Sequence, residues 1–236
     1  MTAALHYKPR PSLTPKKQSL TDKAYSAIKA VINGGEIPLD AFINMPEIEQ
    51  QLGMSRTPVR EAMLRLQTEK VVEIVPKRGI RINALTTADL ADYYQLITAL
   101  EVEAAGNIAR REPSRTEIMP LLHTLNSMED AIGGVNHEAW AEAEENFHRS
   151  LFVLSGNARL SETGMNFRDV VQRAHFEALR HISMEAKADF LPLHNNLKDL
   201  LLFSDEATVR ETFLAQCGWA SELVIGTLDR LNIEKL

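Results

Sequence analysis

The sequence predicts a mainly α chain in two parts: a small N-terminal unit of three helices and a β hairpin, then an antiparallel all-α helical bundle of about six helices. Three observations carry this. Apolar residues recur at helical spacing from Leu20 onward, and the period changes only between Val71 and Ile82. Charge divides with the pattern: 13 Lys and Arg stand against 8 Asp and Glu through residue 84, and 13 against 24 beyond it. At 236 residues the chain suits one small and one medium domain, each able to bury a core.

Residues 1–18 are Pro-rich, carry Lys8, Arg10, Lys16 and Lys17, and read as a disordered basic arm. Residues 19–83 form the small unit. Its first helix runs from Leu20 to Asn33, with Ala24, Ala27, Ile28, Val31 and Ile32 on one stripe and Gly34-Gly35 as its stop. A link from Ile37 to Phe42 leads to a brief helix opened by Pro46 and carrying Ile48 and Leu52. Gly53 turns the chain, and a third helix begins near Ser55 or Thr57, where Pro58 suits the first turn because its missing N–H is not needed there. Val71, Val72, Ile74 and Val75, then Ile80 and Ile82, flank Pro76-Lys-Arg-Gly79 as a hairpin. Residues 84–88 read as a linker and 89–236 as the bundle, with helices near 88–110, 114–132, 137–155, 157–182, 188–203 and 205–231.

No apolar run is long enough to span a bilayer, and the first residues lack the apolar core of a secretory signal. The single Cys217 has no partner for a disulfide. These features fit a reducing, cytoplasmic setting and no membrane partner.

Helix, turn, helix and hairpin is the order of a winged helix-turn-helix. On the third helix Val59, Ala62, Met63 and Leu66 share a packing face, leaving Arg56 and Arg60 one turn apart on the opposite side with Thr57 beside them. Arginine bonds guanine through two hydrogen bonds, and such a helix N-terminus meets base edges and phosphates. Arg65 reaches for phosphate farther along, or covers apolar surface with its stem. Lys77, Arg78 and Gly79 make a basic tip whose glycine permits close approach to a minor groove. The run from Leu52 to Leu66, followed by Val71-Val72 and Pro76-Lys-Arg-Gly79, resembles the DNA-binding domain of the GntR family of bacterial regulators. The resemblance implies operator contacts from Arg56, Thr57 and Arg60, with Gly79 at the wing tip. The sequence departs from the family at Pro46, near where relatives place an arginine, and at Ile37-Pro38-Leu39-Asp40, where a Pro-Gly turn is usual.

In the bundle, apolar stripes carry polar interruptions. Projected at 100° per residue, one helix aligns Trp140, Glu144, Phe147, His148, Leu151 and Leu154; a second aligns Phe190, His194, Leu197 and Leu201; a third aligns Val209, Phe213, Gln216, Ala220 and Leu223. Convergence of these stripes brings Glu144, His148, His194 and Gln216 into one internal cluster. It can hold a divalent metal (zinc, nickel or manganese) on Glu144, His148 and His194, or form the hydrogen-bonding wall of a pocket. Glu144-Glu-Asn-Phe-His148 with Ser155-Gly-Asn157, and then His194, resembles the FCD ligand-sensing domain of the FadR branch of that family, and six helices rather than seven are closest to its VanR-like subgroup. The resemblance implies a small-molecule effector in a pocket that includes Tyr94 and Glu101. Gln216 stands where the family's last metal-binding histidine aligns, and Ile97 where a pocket arginine is frequent.

The whole predicts a homodimeric, ligand-responsive repressor that binds double-stranded, pseudo-palindromic operator DNA and is released by a small metabolite. A metal-dependent hydrolase using Glu144 as base is the alternative, against which no His-Glu-x-x-His helix, activated nucleophile or phosphate-cradling loop is found.

Overall fold

The computed structural model describes residues 19–33, 42–233 and 235. The expected basic arm, the Gly34-Gly35 stop and the link through Asp40 lie outside the described residues. Helix α1 (Leu20–Asn33) opens with Ser19 and Asp22 bonding each other's backbone N–H groups. Helix α2 (Met45–Leu52) ends on Gly53, whose φ of 59° is the left-handed cap conformation glycine adopts freely. Helix α3 (Arg56–Thr68) follows, and Val59, Ala62, Met63 and Leu66 of its inner face join Ala24, Ile28, Ile32 and Ile48 in one core.

The hairpin of β2 (Val72–Val75) and β3 (Gly79–Ile82) pairs antiparallel, Val72 opposite Ile82 and Val75 opposite Gly79. A third strand, β1 (Phe42–Ile43), adds to the other edge of β3 and makes the sheet order β1-β3-β2. Phe42, expected in a link, therefore lies in the sheet. Two residues show no periodicity, so no sequence pattern could reveal the strand. Gly79 has φ 111°, and a Cβ there would sit 2.7 Å from the Ile43 carbonyl oxygen. The close approach this glycine permits is internal, between β3 and β1.

Six helices follow among the described residues: α4 (Thr87–Arg111), α5 (Arg115–Gly133), α6 (His137–Leu154), α7 (Ala158–Arg180), α8 (Met184–Phe203) and α9 (Glu206–Arg230). Each start is written in a capping side chain, namely Thr86, Ser114, Asn136, Asn157, Ser183 and Asp205. Helix α8 begins four residues earlier than expected because the Ser183 hydroxyl accepts from the Ala186 N–H. Trp140, Phe147, Leu151, Leu197, Val209 and Phe213 form the main bundle core, and Tyr94, Ile97, Val171, Val224 and Leu228 a second cluster between α4, α7 and α9. The buried stripe of α9 runs Val209, Phe213, Cys217, Val224 and Leu228, so Cys217 points inward and Gln216 lies only half-buried at its flank. The expected stripe through Gln216, Ala220 and Leu223 is rotated because α9 packs along α4.

Candidate functional site: an exposed basic face and a buried ion network

Arg56, Thr57 and Arg60 are exposed on the first turns of α3, and Lys77 and Arg78 on the hairpin turn. The Arg56 side chain is 79% exposed, with Glu49 3.9 Å away. A surface pair at that distance contributes little and leaves the guanidinium available. Arg78 lies over the Phe42 ring at 4.7 Å. Arg65, with its side chain 50% exposed, has partners within the domain: its guanidinium stacks on the Tyr25 ring at 3.8 Å and pairs with Glu69 at 3.2 Å and Asp22 at 3.8 Å. It braces α3 against α1 about two and a half turns from Arg56.

The bundle buries a second set of groups. His148 lies between two carboxylates, with Nε2 3.1 Å from Glu144 and Nδ1 3.0 Å from Glu101, the latter off the line of a good hydrogen bond. Burial alone would lower its pKa, but the two carboxylates raise it to about 10, so the imidazole is cationic at neutral pH. Burial would raise Glu144, yet His175 and His148 hold it well below the usual carboxylate range. Glu101, also opposed by burial, is held down chiefly by His148.

Helix α7 supplies two members absent from the sequence expectations. His175 Nε2 lies 2.7 Å from Glu144 and its Nδ1 2.7 Å from the Tyr94 hydroxyl, a pattern satisfied when Nε2–H donates to the carboxylate and the phenol donates to Nδ1. Arg168 grips Glu145 through Nε at 3.0 Å and again through Nη2, and lies 3.5 Å from Glu101 and 3.7 Å from Glu144. Ile97 sits in the apolar cluster with Val171, so the guanidinium in this region comes from α7. Projecting α7 as the other helices were projected puts Arg168 and His175 on the stripe of Val171, Ala174 and Ala178. That is the signal that could have found them.

His194 donates from Nδ1 to the Phe190 carbonyl at 2.9 Å when Nδ1 carries its proton, which leaves Nε2 a lone pair. Burial, then the nearby His148 charge, lowers its pKa. Glu144, His148 and His194 each present a donor atom within 4.8 Å of the others. Two imidazoles and one carboxylate suit zinc, nickel or manganese, provided His148 gives up the Nε2 proton it holds in the absence of metal. Gln216 does not complete the set as a basic ligand; its buried Oε1 has no hydrogen-bond partner, nor has the buried Trp140 Nε1. Each unsatisfied buried atom costs about 1–3 kcal/mol.

The network does not stop inside the bundle. Glu145 also accepts from Arg149 at 2.6 Å; Arg149 pairs with Asp169 at 2.5 Å; and Asp169 meets Lys29 of α1 at 2.7 Å. Lys29 donates to the Tyr25 hydroxyl at 2.6 Å and lies 3.3 Å from Glu69, the partner of Arg65 on α3. Ion pairs thus run without a gap from the buried cluster to the helix that carries Arg56 and Arg60.

Comparison with known proteins places this architecture. Residues 20–82 match the model for bacterial regulatory proteins of the gntR family, and residues 92–215 match the FCD domain. The chain is 42% identical over 134 residues to an uncharacterized HTH-type transcriptional regulator in the TAR-I ttuE-ttuC' intergenic region of Agrobacterium vitis, covering 56% of this chain and 78% of that one. It is 32% identical over 126 residues to the probable D-xylose utilization operon transcriptional repressor of Paenarthrobacter nicotinovorans, covering 53% and 55% of the two chains. Among solved structures, E. coli McbR/YncC aligns with a TM-score of 0.77 at 19% identity, covering 91% of this chain and 99% of the other. A putative GntR regulator from Rhodococcus sp. RHA1 gives 0.70 at 18% identity, covering 87% and 97%. At such identities the structures speak for the fold; the family models speak for descent. The match to the FCD model alone covers more than half of the chain, and together with the N-terminal match it makes this protein a transcription regulator of the GntR family with an FCD domain.

Proposed function

We propose that the protein is a ligand-responsive cytoplasmic repressor that binds a pseudo-palindromic operator as a homodimer and is released when a small metabolite enters the helical domain. Arg56, Thr57 and Arg60 read the operator from α3, with Lys77 and Arg78 on the flanking phosphates or minor groove. Arg65 and Gly79 have their work inside the domain, one bracing α1 and the other admitting β1. The observation that carries the reading is the continuous chain of ion pairs from Glu144 to Lys29 and Glu69. It supplies what a sensor requires, a physical connection between a buried pocket and the DNA-facing helices.

The pocket is lined by Trp140, Glu144, His148, His194, Gln216 and Trp219, among others. Tyr94 and Glu101 line a neighbouring buried space with Arg168. A ligand that displaces or recruits any charged member forces the rest to re-pair, because in a low-dielectric interior no charge is left alone cheaply. Glu144, His148 and His194 are the residues that would hold a divalent metal, which would supply a Lewis-acid anchor for an effector oxygen. A hydrolase has no support: the family is one of regulators, and His175 and Arg168 tie the supposed base Glu144 into ion pairs.

The test is a titration of the purified protein against its own upstream intergenic DNA at several salt concentrations, with and without metabolites found by thermal-shift screening. Sequence-selective binding with a steep salt dependence, weakened by at least one metabolite, is expected. Binding indifferent to sequence would overturn the regulatory assignment of the α3 face. A metabolite that stabilises the protein yet leaves DNA affinity unchanged would overturn the coupling.

A further inference from the structure

The polar atoms around the buried cluster fall into two sets. Those between α4, α6 and α7 are matched in charge and nearly all bonded: His175 bridges Tyr94 and Glu144, Arg168 is surrounded by Glu145, Glu101 and Glu144, the Cys217 thiol of α9 donates to Glu101 at 3.3 Å, and His148 Nδ1, though off the line of a good hydrogen bond, lies 3.0 Å from Glu101. On the side facing α8 and α9 two are left over. The Trp140 indole Nε1, in a residue only 1% exposed, and Gln216 Oε1 are buried without a hydrogen-bond partner. Both residues line the same pocket, which is lined otherwise by the polar cluster of Glu144, His148, His175 and His194 and by apolar residues including Leu179, Phe190, Leu197 and Leu223. Buried polar groups are almost always paired, so two orphans facing one pocket describe the ligand that would pair them.

Charge decides the rest of the description. Every cation that reaches the pocket is already matched: His148 lies between Glu144 and Glu101, and Arg168 among three carboxylates. His194 is turned to the backbone, with Nδ1 2.9 Å from the Phe190 carbonyl. Lys187, the other buried cation nearby, lies behind Trp140 with Nζ 5.4 Å from the ring centre and bonds His137 at 2.7 Å. Among the described residues no unpaired cationic side chain lines this pocket to hold a carboxylate.

We infer that this pocket takes an uncharged, mostly apolar molecule with an oxygen that accepts from the Trp140 indole N–H and a hydroxyl or amide that pairs with Gln216, as in a cyclic or aromatic alcohol. The inference rests on the reading of this pocket as the effector site. Turning the Gln216 amide over exchanges its acceptor for a donor, so the fixed requirement is the acceptor opposite Trp140. The free space is only about 40 Å³. A ligand therefore enters by moving Trp219, which is 46% exposed and stacks on Phe190 at 4.9 Å at the same pocket. Trp140 and Gln216 become the specificity-determining residues, because a site with fixed hydrogen-bonding groups discriminates strongly against molecules that leave them unpaired.

The test uses full-length protein treated with chelator and labelled with 15N at the indoles, titrated to about 20 mM with phenol, cyclohexanol, benzoate and cyclohexanecarboxylate, a range that covers fragment-scale millimolar affinities. The Trp140 indole N–H resonance, assigned with W140F, and the melting temperature are followed together. At least one alcohol should move that resonance saturably and raise the melting temperature, binding about 10-fold or more tightly than its carboxylate counterpart. W140F removes the donor together with the five-membered ring of the indole, so its effect is read beside Q216L, which leaves Trp140 in place; each should weaken the alcohol about 5-fold or more. Carboxylates binding as tightly as the alcohols, an alcohol affinity unchanged in W140F, or no response to any of the four would each overturn the inference. An alcohol that binds as described but leaves operator affinity unchanged would uphold the inference and overturn the effector reading.

Discussion

Lys29 and Asp169 form an ion pair that joins α1 to α7, and cutting it tests whether the two parts of the chain are energetically connected. At 2.7 Å and an effective dielectric of about 20, the gross attraction is roughly 6 kcal/mol, most of it offset by taking both groups out of water. The Lys29 side chain is 8% exposed and that of Asp169 19%, so neither recovers full hydration when its partner goes. Each keeps a second partner, Glu69 for Lys29 and Arg149 for Asp169, which caps the loss. The net coupling should therefore be about 1–3 kcal/mol. For a chain of this length each kcal/mol moves the melting temperature by about 2–4 °C. Lys29→Met and Asp169→Asn should each lower it by several degrees, and the double variant should fall short of their sum by at least about 1 kcal/mol in a denaturant cycle. Additivity within about 0.5 kcal/mol would show that the pair carries no coupling, and the route from pocket to DNA face would be wrong.

Arg56→Ala and Arg60→Ala should each weaken operator binding by about 5- to 150-fold, the loss of one good base contact, with melting temperatures unchanged. Arg65→Ala should do the reverse, lowering stability by about 1–2 kcal/mol through the lost Tyr25 and Glu69 contacts and changing DNA affinity less; anisotropy titrations with thermal melts separate the two patterns. Gly79→Ala at φ 111° meets the Ile43 carbonyl and should destabilise the winged unit by more than about 1 kcal/mol, read as a lower denaturation midpoint. For pH, His148 is raised from 6.5 to about 10, so its contribution is complete below about pH 6.5 and is lost as pH rises towards 10. Glu144 and Glu101 are depressed, so theirs is present above about pH 4.5 and is lost as pH falls through their lowered folded values. His194 is lowered from 6.5, so its burial costs stability as pH falls below that value; stability by urea melts should therefore peak near pH 6.5 and decline from 7 to 9. A flat profile over that upper range would mean His148 is not held cationic.

Most of the architecture was legible because it rests on local chemistry. The six bundle helices, the stripes of α6 and α8 and the basic hairpin tip are short-range signals and lie where expected, apart from the early start of α8 and the rotated stripe of α9. What escaped depends on partners distant in sequence. Strand β1 exists because Phe42 and Ile43 lie against Arg81 and Ile80, nearly 40 residues away. Cys217 rather than Gln216 points inward because α4 sets the rotation of α9. Arg168 and Glu145 each look like ordinary surface charge on a helix until α6 and α7 meet; burial makes sense of either only in the presence of the other. The expected metal donors Glu144, His148 and His194 do converge, but His148 shares its charge with Glu101, an anion contributed by α4.

That sharing bears on how a regulator of this kind is switched. Arg168 faces three carboxylates and His148 two, so each of these cations has more than one anionic partner within reach. A well-packed apolar core in the same volume would often be as stable or more so. It would also be indifferent to a ligand. An interior of interchangeable ion pairs converts the arrival of one new hydrogen-bonding group into a choice between discrete arrangements, and Arg149, Asp169 and Lys29 extend that choice to α1. The size of the response is limited by the ligand's preference between the two arrangements: a 10-fold change in DNA affinity needs about 1.4 kcal/mol of difference. One charge-assisted hydrogen bond gained or lost along this chain supplies that much, which is why the ion pairs, rather than the apolar packing around them, are the place to look for the switch.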